Sequence, residues 1–257
     1  MILGILQARM SSSRLPGKVL KPILGVPMLI RQIERLMRVK YVDKLLVATS
    51  DESSDNPIED MCNKHGVECF RGSLNDVLDR FYQVAKIYKP EHVIRFTGDC
   101  PLIVPEIVDR LISLHLYGGF DYTTLSKPPT FPDGLDAEAI YYPVLEQVWN
   151  EAVLQSQREH VTAFIYQNPQ KFEIGNLENL ENLSHLRWTV DQQEDFDLIT
   201  KIYEVLYQDK PNFLMQDILD FLDANPHLNE LNEKYQRNEG LLKSFEKDKQ
   251  FFAKEKE

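Results

Sequence analysis

At 257 residues the chain is long enough for one large domain, or one domain with an appendage. Its net charge of −11 argues against nonspecific binding to nucleic acid or to an acidic membrane, since both favour basic surfaces. The 43% hydrophobic content is ordinary for a globular protein, no apolar run approaches a membrane span, and Cys62, Cys69 and Cys100 match no zinc spacing, so they read as reduced thiols of a cytoplasmic protein.

The first half alternates apolar runs with helical periodicity. Strands are predicted at Ile2 to Gln7, Lys44 to Ala48, Glu68 to Arg71 and His92 to Phe96, with helices at Met28 to Val39, Pro57 to His65 and Val77 to Tyr88 between them. Pro27 precedes the first helix and Pro57 opens the second, because a first helical turn tolerates proline. This alternation predicts an α/β fold: a Rossmann-like, mostly parallel central sheet flanked by helices, with ligands at the carboxyl ends of its strands. Arg9 interrupts the first apolar stretch too early for a signal peptide.

From Tyr117 to Phe131 the composition turns to Gly, Pro, Ser and Thr, which predicts loop. Leu135 to Tyr142 reads as a half-exposed strand, Val144 to Val153 and Gln157 to Gln167 as helices, and Phe172 to Ile174 and Arg187 to Val190 as returning strands. Glu194 to Tyr207 puts Phe196, Ile199, Ile202, Tyr203 and Leu206 on one face of an amphipathic helix, and Met215 to Leu222 adds another. From about Asn225 the chain is charged and thinly apolar, a surface helix or a tail spanning 225–257.

The most informative segment follows the first strand: Gln7-Ala8-Arg9-Met10-Ser11-Ser12-Ser13-Arg14-Leu15-Pro16-Gly17-Lys18. Serine hydroxyls and backbone N–H groups can hydrogen-bond phosphate oxygens while Arg9, Arg14 and Lys18 supply charge, and no acid interrupts them. In an acidic chain this is an anion site. Asp99, after Gly98 at the end of the fourth predicted strand, falls on the same edge of the sheet, where a carboxylate can serve a cation that favours hard oxygen ligands. Asp76 reads as a helix N-cap, Asp191 and Asp195 alike as the N-cap of the helix opening at Glu194, and Trp188 as core.

The loop resembles the A-R-x-x-S-x-R-x-P-x-K signature of the sugar nucleotidyltransferases that activate acidic sugars, among them the CMP-KDO and CMP-sialic acid synthetases and the cytidylyltransferases of spore coat polysaccharide biosynthesis. Arg95-Phe96-Thr97-Gly98-Asp99-Cys100-Pro101, Pro132-Asp133-Gly134-Leu135-Asp136-Ala137-Glu138, Arg158-Glu159-His160-Val161-Thr162 and Arg187-Trp188-Thr189-Val190-Asp191 fit in order; after Asp191 the usual Thr-Pro-Glu-Asp is Gln192-Gln193-Glu194-Asp195. The resemblance covers about Met1 to Asp209 and implies a nucleotidyltransferase domain over 1–224, with a small dimerisation and sugar-binding extension near 120–170. It implies transfer of CMP from CTP to an acidic sugar with release of pyrophosphate, no covalent enzyme intermediate, and a homodimer.

Residue by residue, the resemblance implies that Leu6, Ala8, Arg9, Ser12, Arg14, Lys18, Arg71, Ser73, Arg80 and Thr97 bind the nucleotide. Lys18, Arg9 and Asp99 would be catalytic, and Asp99 with Asp191 would hold Mg2+. Asp133, Asp136, Glu138, Arg158 and His160 would bind the sugar, with Arg158 as a bidentate fork for its carboxylate; His160 stays open between general base, sugar ligand and structural histidine. Two rivals remain: a glycosyltransferase that uses a finished nucleotide sugar, and a noncatalytic nucleotide-binding or assembly protein.

Overall fold

The computed structural model describes residues 1–237 and 239–254. β1 (Ile2–Gln7) leads through the hairpin β2 (Pro22–Ile23) and β3 (Val26–Pro27) into α1 (Met28–Leu36), followed by β4 (Lys44–Ser50), α2 (Asn56–Lys64), β5 (Cys69–Gly72), α3 (Val77–Tyr88) and β6 (His92–Thr97). Then come α4 (Pro105–Gly118), β7 (Tyr122–Thr124), β8 (Glu138–Tyr141), α5 (Tyr142–Glu151), α6 (Gln155–Glu159), α7 (Ala163–Gln167), β9 (Ile174–Asn176), α8 (Gln193–Asp209), α9 (Met215–Ala224) and α10 (Glu239–Lys254).

The seven-stranded sheet runs β5-β4-β1-β6-β8-β7-β9. β1, β4, β5 and β6 are parallel, β9 is parallel to β7, and β8 runs antiparallel to β6 and β7. The mostly parallel sheet is as expected. β1 is central and covered on both sides, so it reads as an unbroken apolar run. Its alternate side chains serve two cores: Leu6 packs with α1, α4 and α8 residues such as Leu29, Val108 and Ile199, whereas Leu3 and Ile5 pack with Phe81 of α3, Leu145 of α5 and Phe164 of α7. β4 and β6 leave β1 in opposite directions, so the loop after β1 lies where ligands gather in such sheets.

Several local expectations need correction. The loop read over Tyr117 to Phe131 contains the end of α4 and the strand β7, whose Tyr122-Thr123-Thr124 is too short to show a period; α4 itself had no counterpart in the sequence reading. The strand read over Leu135 to Tyr142 begins only at Glu138. Before it, Gly134 turns the chain at φ 105°, and a Cβ there would lie 2.3 Å from the Thr189 nitrogen, so this close approach requires glycine. Arg187 to Val190 does not extend as a strand; Arg187 forms a single bridge with Asp133. The helix read over Gln157 to Gln167 breaks into α6 and α7 around Val161, which has φ 30°.

Candidate active site

The loop after β1 is held from beneath. Ala8 N–H donates to Ala48 O at 3.1 Å, and Gly17 N–H closes the loop onto Met10 O at 2.9 Å. Met10 N–H donates to the carboxylate of Asp55 at 2.7 Å, and Asp55 is fully buried and also accepts from the hydroxyls of Thr49 and Ser50. The Ser12 hydroxyl accepts from Leu15 N–H at 3.4 Å, turning the chain toward Pro16. A short 3-10 turn then buries the stem of Lys18.

Lys18 brings three segments together. Its ammonium donates to Val190 O at 2.6 Å, Asp191 Oδ1 at 2.8 Å and Asp99 Oδ2 at 3.4 Å. Asp99 reaches this point because Gly98 lies against β1: a Cβ there would sit 2.9 Å from Gln7 O. Val190 N–H and the Thr189 hydroxyl both donate to Asp99 O, at 2.8 and 3.2 Å, stitching the two carboxylate-bearing segments together. Burial disfavours the Lys18 ammonium, but Asp99 and Asp191 outweigh it and hold its pKa above the ordinary value. Burial likewise pushes Asp99 up, and Lys18, Thr97 and Cys100 together hold it below the usual carboxylate range.

Asp195 settles which acid caps α8. Its Oδ2 accepts from the N–H groups of Asp191 and Gln192, both at 2.9 Å, while Arg187 grips both of its oxygens at 2.9 Å. Asp195 thus does the capping and leaves the Asp191 side chain to Lys18 and Arg14, the latter at 2.7 Å. The departure at Gln192-Gln193 is accommodated by this buried arginine–aspartate fork.

A cavity of about 530 Å³ opens beside the loop. Of the expected site residues, Ala8, Arg9, Ser12, Arg14, Lys18, Arg80, Thr97, Asp99, Asp133, Asp136, Glu138, His160 and Asp191 line it. Arg80 is 2% exposed, and its Nε and Nη1 have no hydrogen-bond partner among the described residues; burial, with Arg9 nearby, lowers its pKa to about 10. Burial and the neighbouring Asp136 raise the Asp133 carboxyl well above the usual range, against the pull of Arg237 and Arg187. Glu138 accepts from Thr162 at 2.9 Å, from Tyr166 at 2.6 Å, and from Arg95 and Tyr122. His160 hydrogen-bonds Ser244 at 2.9 Å, and burial lowers its pKa.

Four expected residues lie elsewhere. Leu6 is fully buried core. Arg71 spends its guanidinium on Ser50 O, Glu52 O and Glu59, and the Ser73 hydroxyl accepts from Asp76 N–H at 3.1 Å. Arg158 donates to Asp76 Oδ2 at 2.8 and 2.5 Å and to Trp149 O at 2.8 Å, so its fork is engaged within the protein. Conversely, Gln7, Arg95, Thr162, Tyr166, Arg187 and Thr189 line the cavity without having been singled out. Arg95 and Arg187 carried a signal, a cation set in an apolar run of a matching motif; Asp195 was readable as a helix cap but not as the partner of Arg187, and Asp55 carried no signal.

The donor set suits a hard divalent cation. Among the described residues no three His, Cys, Asp or Glu side chains converge as a metal cluster, but magnesium commonly takes one or two carboxylates with substrate phosphates. Asp99 and Asp191, both turned to one ammonium, bring two carboxylates to one point of the cavity. Seven cationic and seven acidic side chains line the cavity, so a polyphosphate would enter a region with little net positive charge.

The sequence profile described as Cytidylyltransferase matches residues 3–252. The chain belongs to the cytidylyltransferase family. This cytidylyltransferase, a nucleotidyltransferase by family, is 35% identical to the spore coat polysaccharide biosynthesis protein SpsF of Bacillus subtilis, over 88% of this chain and 95% of that one. It is 28% identical to the 3-deoxy-manno-octulosonate cytidylyltransferase of Neisseria meningitidis, over 79% of this chain and 98% of that one. A cytidylyltransferase structure from Leptospira borgpetersenii superposes with a TM-score of 0.85 at 32% identity, covering 91% of this chain and 99% of that one. The fold expected from the sequence is the fold of this family.

Proposed function

We propose that this cytidylyltransferase transfers CMP from CTP to an acidic sugar, with magnesium, to feed surface polysaccharide or glycan synthesis. The observation that carries the reading is the ammonium of Lys18 set between Asp99 and Asp191 beside a loop bearing Arg9, Ser12 and Arg14. The names of the relatives, one in polysaccharide biosynthesis and one acting on an octulosonate, support the substrate class.

A sugar hydroxyl oxygen bonds to the α-phosphorus as the bond from that phosphorus to the bridging oxygen of the β-phosphate breaks. Pyrophosphate leaves with that electron pair, and the hydroxyl proton passes to solvent. Catalysis is then positioning and charge stabilisation. Lys18 stabilises charge developing on the transferring group, Arg9 and Arg14 hold the outgoing phosphates, and Ser12 donates a hydrogen bond. Arg80 lines the cavity near Arg9 and adds a cation on the side that would take the base. Glu138, His160, Thr162 and Tyr166 line the cavity with hydroxyl partners suited to a sugar. Asp99 and Asp191 would hold magnesium through hard oxygens; when bound, it supplies positive charge that the balanced cavity lacks.

A homodimer belongs to the same reading: Tyr117, Val153 and Leu180 are large exposed apolar side chains in the segment after the central strands, and sedimentation tests it. A cytoplasmic location belongs to the same reading, since nucleoside triphosphates are made there; among the described residues no helix is long and apolar enough to cross a membrane.

A pyrophosphate-release screen of four nucleoside triphosphates against acidic and neutral sugars tests the reaction. Release from CTP with an acidic sugar is expected. Release only with neutral sugars refutes the substrate class, and turnover of a finished nucleotide sugar instead of CTP would make the protein a glycosyltransferase.

A further inference from the structure

The charged C-terminal segment, readable in sequence only as a surface helix or tail, packs onto the active site. Ahead of α10, Arg237 donates to Asp136 at 2.5 Å and to Phe131 O at 3.1 Å. Farther along, Ser244 meets His160 at 2.9 Å. Between these two anchors Glu239, Gly240, Leu241 and Lys243 line the cavity, so the segment straps it.

The strap brings a carboxylate to the phosphate loop. Glu239 Oε2 accepts from Arg14 Nη1 at 2.9 Å, and Lys243 steadies the other oxygen of Glu239 at 2.8 Å. Arg14 Nη2 pairs with Asp191 at 2.7 Å. Each terminal nitrogen of Arg14 therefore carries a carboxylate, and the two are not equivalent. Asp191 is fixed by Lys18 and by the Asp195 cap, whereas the Glu239 side chain is 38% exposed and reaches in from a separate helix.

We propose that Glu239 is the carboxylate that the triphosphate displaces from Arg14, so that the C-terminal helix sets nucleotide affinity. This rests on the reading of the loop as a triphosphate site. A phosphate oxygen and a carboxylate oxygen present the same charge-assisted acceptor to a guanidinium. Both cannot occupy one edge of it, because like charges at contact distance repel. The exposed Arg14–Glu239 pair is weak on its own, while a triphosphate also gains Arg9 and Lys18, so the exchange favours the nucleotide. Tethering keeps Glu239 at high effective concentration, which makes it a standing competitor.

Calorimetric titration of CTP with magnesium, in the absence of sugar, separates the outcomes in wild type, Glu239→Gln, Arg14→Ala and the double variant. Glutamine keeps the shape at a partly exposed helical position, so folding is preserved. Glu239→Gln is expected to lower the Kd roughly three- to tenfold. In the Arg14→Ala background the same change should move the Kd by less than about twofold. An unchanged or higher Kd for Glu239→Gln overturns the proposal, and so does equal tightening in both backgrounds, which would mark a general charge effect. If wild type binds no CTP, the triphosphate reading fails and this inference falls with it.

Discussion

The ammonium of Lys18 and the carboxylate of Asp191 meet at 2.8 Å across 173 residues of sequence. The contact follows from topology: β1 delivers the loop, β6 delivers Asp99, and the Arg187–Asp191 segment is sewn to Asp99 by main-chain hydrogen bonds. A cation thus stands between two acids at the sheet edge where a polyphosphate would arrive. The side chains expected to stabilise phosphate and those expected to hold metal neutralise one another across the same few ångströms.

Lys18 and Arg14 should separate when substituted. Lys18→Ala is expected to lower kcat more than CTP affinity, because the ammonium matters most as charge develops on the α-phosphoryl group. Arg14→Ala should mainly raise the KM for CTP. Steady-state kinetics on both variants decide it, and equal losses confined to affinity contradict the division of roles.

Asp99→Asn is expected to cut turnover by more than about tenfold while the fold persists, since a carboxylate that helps hold magnesium contributes to transition-state charge stabilisation. Magnesium titration of the variant should require higher metal concentrations. Near-wild-type turnover, at unaltered metal dependence, would remove Asp99 from the metal pair.

The phosphate side of the site was legible because its signals are contiguous: an apolar strand, a cationic loop and a Gly-Asp turn each announce themselves within a few residues. The long-range partners were not. Nothing local shows that Arg158 faces Asp76, 82 residues earlier, since an arginine opening a helix reads the same whether its carboxylate is a ligand's or the protein's own. Asp55 beneath the loop and Asp195 beneath Asp191 are acids in ordinary helical starts by sequence, and only packing shows what they hold. The strap over the cavity was invisible for the same reason. Its charged residues describe a solvated helix until Arg14, Asp136 and His160 are found beneath it.

Arg158→Lys tests what that placement means for the role expected of Arg158. Lysine cannot reproduce the paired donation to Asp76 together with the bond to Trp149 O. The expected result is a loss of stability of about 1–2 kcal/mol, seen in denaturant unfolding, with the KM for the sugar unchanged. A selective rise in the sugar KM at unaltered stability would return Arg158 to the substrate site.

Gly134→Ala should damage stability and activity together. The φ of 105° strains any L side chain, and the new methyl would lie 2.3 Å from the Thr189 nitrogen and 2.4 Å from the Trp188 carbonyl carbon. The turn carrying Asp133 and Asp136 would be driven off the segment carrying Asp191. A cost above about 2 kcal/mol is expected in unfolding measurements. A variant as stable as wild type would mean that the two segments can part without consequence.

Glu138 should contribute to the acid sensitivity of the fold. It is buried among Arg95, Tyr122, Tyr166 and Thr162. Burial raises its pKa, but Arg95 and the tyrosines prevail and hold it below the ordinary 4.5. A carboxylate depressed in the folded state contributes stability that is present above its unfolded pKa and is lost as pH falls through the folded one. Glu138→Gln removes that contribution and leaves the Arg95 guanidinium buried without a counter-charge, a cost of about 3–5 kcal/mol at neutral pH. Thermal unfolding of wild type and variant from pH 8 down to 3 should therefore show a gap in Tm that is flat to about pH 5 and narrows below it as wild-type Glu138 takes up its proton. A gap that stays constant to the lowest pH, or widens on acidification, would show that Glu138 is not held ionised by Arg95.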